Sequence, residues 1–154
     1  MRNKTVIRRL AISTFFALLT FESLGQLGNH EPWTERQLLD PAILSNIISV
    51  PNSKQPIVFS IGPGALIPGS IDIGPAKERV NMEKLRLQLS KLPKDADVVI
   101  YCGCCPFHHC PNIRPAFQLL NEMKFTHHKL LALRTSIKAD WMDRGYPVRK
   151  SGND

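Results

Sequence analysis

The chain has 154 residues, 43% hydrophobic and 21% charged, with a formal net charge of +7. That length suits one domain with a core of its own, and the composition excludes a disordered chain. The basic side chains are scattered, without aromatic interleaving, so no nucleic-acid partner is expected.

Arg2, Lys4, Arg8 and Arg9 open the chain, and residues 10–21 (LAISTFFALLTF) follow as an apolar stretch. Ser23-Leu24-Gly25 then sets small residues before Gln26. This order is the grammar of a secretory signal peptide, so residues 1–25 are expected to be cleaved on export, leaving a periplasmic or secreted protein. The apolar stretch falls short of the about 20 residues a membrane span needs. No stable membrane anchor is therefore expected after processing.

Residues 26–33 read as a short mature leader, 34–148 as one domain and 149–154 as a flexible tail. Thr34 is an N-cap candidate before ERQLLDPAILSNIIS, which Pro41 should kink or split into two short helices. Residues 56–60 (PIVFS) read as a strand, IGPG and Pro68-Gly69 as turns, and 70–73 as a second strand. Within residues 81–92, Met82, Leu85, Leu89 and Leu92 fall at helical spacing. Residues 97–101 (DVVIY) are a continuous β-branched run, the mark of a central strand buried on both faces. Residues 115–125 read as a helix, 129–133 as a strand and 139–144 as a last helix stopped by Gly145. Strands alternating with helices predict an α/β fold, a mostly parallel sheet between helical layers. Trp33 and Trp141 read as packing anchors, and His127 and His128 as surface residues.

Cys102, Cys104, Cys105 and Cys110 crowd into one loop. A disulfide scaffold spreads its cysteines to staple distant segments, so this cluster reads as a site. Cys102 ends the strongest strand, where parallel α/β sheets bind ligands. A helix start beyond the loop would favour an anion there and lower the thiol pKa. Arg114, at that helix start, could hold an oxyanion.

The order of the pieces resembles the rhodanese domain of the sulfurtransferases. IPGSIDI at 67–73 is similar to that family's His-Ile-Pro-Gly-Ala-Ile-Asn-Ile segment. VVIYC at 98–102 is similar to the strand that delivers its active-site Cys. Trp141 and Gly145-Tyr146-Pro147-Val148 are similar to its closing W…GYPV signature. The chain departs from the family in its long stretch between Cys102 and Arg114, in Ser60-Ile61-Gly62 where Asp-x-Arg is usual, and in Arg134-Thr135-Ser136 where Gly-Gly is usual.

The resemblance implies a rhodanese-like three-layer domain and a sulfurtransferase that carries sulfane sulfur as a cysteine persulfide. Cys102 would be the nucleophile and Arg114 its anion-holding partner. Cys104, Cys105 and Cys110 remain candidates for the nucleophile or a resolving thiol, with Gly103, His108, His109 and Asn112 supporting the loop. The expected partners are a small anionic sulfur donor and a thiol acceptor, which a protein thiol could supply, and the chain is expected to act as a monomer without a cofactor. The alternative is a non-catalytic or redox module whose loop forms disulfides, as the C-x-x-C pattern permits, or binds metal. No metal is assigned from the spacing, although Cys102, Cys105, Cys110 and His109 could approach a zinc or copper ion.

Overall fold

The computed structural model describes residues 31–150, so the expected signal peptide and the end of the tail lie outside the described residues. Five short strands form one all-parallel sheet: β1 (Leu38–Leu39), β2 (Ile57–Ser60), β3 (Ile71–Asp72), β4 (Val98–Tyr101) and β5 (His128–Leu131). Their spatial order is β1-β5-β4-β2-β3, which puts β4 at the centre. Three helices, α1 (Pro41–Ser49), α2 (Arg79–Leu89) and α3 (Ile113–Glu122), cover the sheet together with a π-helical turn at Lys138–Met142. The architecture is a three-layer α/β domain, as the alternation of elements predicts. Among the described residues, no helix is long and apolar enough to cross a membrane.

Alternation along β4 divides the core. Val98 and Ile100 face α2 and α3, packing with Leu85, Leu89, Ile113 and Phe117. Val99 and Tyr101 face the other layer, with Leu44 of α1 and the fully buried Trp141. Cys102 continues the alternation one step past the strand and falls on the α2–α3 face. The sulfur is therefore delivered to the layer that contains the N-terminus of α3.

Several boundaries differ from expectation. Thr34 does lead into a turn, with a capping box to Gln37, but only a 3-10 turn at Glu35–Gln37. Leu38–Leu39 is then a strand rather than helix, because it pairs with Leu130–Leu131 of β5. The helix begins afresh at Pro41, where Asp40 Oδ1 accepts from Ala42 N at 2.8 Å and Pro41 sits in the first turn. His128 is buried rather than on the surface: it is the first residue of β5, and its Nε2 lies 2.8 Å from Asn121 Oδ1. Its ring also meets that of Phe117, the centroids 4.7 Å apart and the planes tilted by 52°.

Two further segments, 66–70 and 145–149, are tied to the core. The hydroxyl of buried Tyr101 accepts from Leu66 N and Ile67 N at 3.0 and 3.3 Å and lies 3.2 Å from Ser70 Oγ. Trp141 Nε1 donates to Pro147 O at 2.7 Å, while Gly145 turns the chain at φ +73. Arg149, where a frayed tail was expected to begin, is held: its backbone N–H donates to Leu66 O at 2.7 Å and its guanidinium to Ser70 O.

Candidate functional site

The loop after β4 is irregular but anchored at each end. Gly103 O accepts from Ile137 N at 3.1 Å, and Phe107 N donates to Leu133 O at 3.0 Å. A Cβ on Gly103 would lie 2.8 Å from that of Ile137, so only glycine lets the two segments pack this closely. Residues Phe107–His109 form a 3-10 turn, and buried Phe107 packs edge-on against Trp33 at 6.0 Å. Cys110 O then accepts the N–H of Ile113, the first residue of α3.

This path gathers the cysteines. Cys102 and Cys110 are buried, Cys105 half-buried and Cys104 exposed, all as free thiols. Cys102 Sγ and Cys104 Sγ are 3.3 Å apart, and Cys104 Sγ and Cys105 Sγ 3.1 Å. The sulfurs of Cys102, Cys104 and Cys110 all lie within 4.8 Å of one another. Asn112 Nδ2 donates to Cys102 Sγ at 3.4 Å while its Oδ1 accepts from Lys77 N at 3.0 Å. Asn112 therefore locks the sulfur to the chain leading into α2.

These donors favour the anionic form of Cys102. Its thiol is pulled from the usual 9.0 down to about 5, chiefly because the Cys110 thiol donates to it. Burial opposes the shift; the Cys104 backbone N–H, the Asn112 amide and the Cys104 thiol reinforce it. The neighbours respond in the opposite sense. Burial and the adjacent sulfurs push Cys104 up to about 12. Cys110 is also raised, because ionising it would forfeit the hydrogen bond it gives Cys102. The shifts run in opposite directions, lowering Cys102 and raising Cys104 and Cys110, so within the group the negative charge favours Cys102.

Arg114 stands apart from this group. Its guanidinium donates to Glu31 Oε1 at 2.5 Å and to His108 O at 2.8 Å, and lies 5.8 Å from the Trp33 ring. Those contacts brace the outer turn of the loop. His108 and His109 are exposed, with ring centroids 4.3 Å apart, and neither joins the three-sulfur group. A separate cleft of about 450 Å³ is lined by Asp40, Arg134, Asp140, Arg144 and Tyr146 among others, and no cysteine borders it.

One site residue escaped the sequence reading. A Cβ on Gly62 would lie 2.5 Å from Cys102 Sγ, so the space that holds the sulfur exists because residue 62 has no side chain. The parallel pairing of Ser60 with Tyr101 carries the end of β2 alongside the end of β4, which is the signal that could have found it. Neither a family model nor a curated protein sequence matches the chain.

Proposed function

We propose that the chain is a rhodanese-like sulfurtransferase of an exported compartment, with Cys102 as the carrier of sulfane sulfur. The observation that carries this reading is the buried Cys102 sulfur just past the C-terminal end of the central strand, within reach of the Asn112 amide at 3.4 Å and the Cys104 sulfur at 3.3 Å. The order of IPGSIDI, VVIYC and GYPV along the chain supports it, and in the fold the first two segments meet at the Tyr101 hydroxyl.

In the first step Cys102 Sγ attacks the outer sulfur of a donor such as thiosulfate. The donor S–S bond breaks, sulfite leaves with its electron pair, and Cys102 becomes a persulfide. In the second step an acceptor thiolate attacks the terminal sulfur and Cys102 leaves as a thiolate, ready for another cycle. The amide of Asn112 and the backbone N–H of Cys104 offset negative charge on the sulfur in both states. Burial of Cys102 beneath Cys104 restricts the donor to a small molecule or one that displaces residues 103–106.

The test is a single-turnover reaction of reduced protein with thiosulfate, followed by intact mass and transfer to cyanide. A gain of one sulfur atom on wild type, lost in Cys102→Ser, is expected. Full transfer by Cys102→Ser with loss in Cys110→Ser would move the nucleophile to Cys110. No transfer from thiosulfate or from a persulfide donor would end the sulfurtransferase reading.

A further inference from the structure

We propose that the sulfurs of Cys102, Cys104 and Cys110 also form a binding site for copper(I), held by three cysteine ligands. The set differs from the one the spacing suggested: the fold brings in Cys104 and leaves out Cys105 and His109. Three sulfurs within 4.8 Å of one another need only small rotations to converge on one ion. Two are buried and one is exposed, which gives an inner seat and an entry side.

The identity of the ion follows from the donors. All three are soft sulfur ligands, which select copper(I), zinc or iron–sulfur clusters over hard cations. Structural zinc demands a fourth ligand in a tetrahedron. Cys105 approaches Cys104 and Cys110 but falls outside the mutual group with Cys102, and both loop histidines are exposed. The mutual group holds three sulfurs, the number that suits a trigonal copper(I) ion. Asn112 and the Cys104 backbone N–H already offset negative charge at Cys102 and would continue to do so.

Binding involves no change of oxidation state. Copper(I) is handed over from a thiol or chelate carrier, three S–Cu bonds form, and the protons of Cys104 and Cys110 pass to solvent. A bound ion withdraws Cys102 from attack, so copper(I) and a sulfur donor compete for one atom. The site does not depend on sulfur transfer, since it requires only the reduced thiols.

The experiment is anaerobic titration of the reduced full chain with copper(I) against a chromophoric copper(I) chelator, with X-ray absorption on the loaded protein and a parallel zinc titration. One copper(I) per chain in an all-sulfur shell of three is expected, retained in preference to zinc. Exposed Cys104→Ser, the variant least able to disturb folding, should weaken retention by at least roughly tenfold, a change that even an outer-shell partner can produce. Cys105→Ser and His109→Asn should retain the ion. Absence of stoichiometric copper(I), nitrogen in the shell, preferential four-sulfur zinc binding, or unchanged affinity in Cys104→Ser would each overturn the proposal. Sulfur transfer is measured separately on metal-free protein, so failure of either reading leaves the other standing.

Discussion

Gly62 and Cys102 occupy adjoining space so tightly that a Cβ on residue 62 would lie 2.5 Å from the sulfur and 3.4 Å from the Cys102 Cα. Gly62→Ala is therefore expected to push Cys102 Sγ away from Asn112 and Cys110. The cost of such overpacking is about 1–3 kcal/mol. Thermal unfolding should show that loss with the fold retained, while single-turnover sulfur loading falls sharply. Normal loading by Gly62→Ala would mean the sulfur works from another position.

The thiolate of Cys102 should be visible directly. Wild type titrated by ultraviolet thiolate absorbance is expected to show one group ionising near pH 5, the value its surroundings impose, and Cys102→Ser should remove that step. Asn112→Ala deletes one donor to the anion. Losing a hydrogen bond to a charged group costs about 1.5–3 kcal/mol, which corresponds to an upward shift of roughly one to two pH units. A step that stays near pH 5 in Asn112→Ala would show that the amide contributes nothing.

Arg114 braces the loop through Glu31 and His108. With the side chain half-exposed, Arg114→Ala should cost at most about 1 kcal/mol in stability. Thiosulfate loading is expected to change less than roughly threefold, well short of the loss that follows removal of a charged contact to substrate. A loss of ten- to a hundredfold in rate would instead assign Arg114 to the donor anion.

Tyr101 holds the 66–70 segment through its hydroxyl, which accepts two backbone N–H groups and touches Ser70. Tyr101→Phe leaves the buried Ile67 N–H, and the part-buried Leu66 N–H, without this partner, at a cost of about 1–3 kcal/mol. Chemical denaturation should show the loss at unchanged slope. Hydrogen exchange at Leu66 and Ile67 should quicken, and protection there equal to wild type would sink the claim.

Burial holds His128 below the usual imidazole pKa, so the folded state binds its proton less readily than the unfolded chain. Stability should accordingly fall as the pH drops through about 6.5, the unfolded value, and recover above it. Denaturation midpoints of wild type and His128→Gln across that range check the sign. If the two fall in parallel, another group carries the acid sensitivity.

Local patterning made much of the fold legible. The run VVIY has no polar residue to place in water, and it is the central strand with both faces covered. Leu85 and Leu89, at helical spacing, are the buried residues of α2. Boundaries shifted where pairing competed with propensity. Leu38–Leu39 looked helical next to its neighbours, yet it completes the sheet edge against β5, a partner about ninety residues away that no local pattern reveals. His128 looked like a polar surface residue for the same reason: its burial depends on Phe117 and Asn121 from α3.

The sequence by itself determined that four cysteines share one loop, too close together to staple distant segments, and it put Cys102 at the end of a parallel strand. Only the tertiary structure decided how that loop is wired. Alternation along β4 turned Cys102 inward, Gly62 left room for its sulfur, and Asn112 reached it from the start of α3. The same packing drew Arg114 to Glu31 and gathered Cys104 with Cys102 and Cys110. Spacing along a chain limits which side chains can meet, but hydrogen bonds and excluded volume between distant segments select the ones that do.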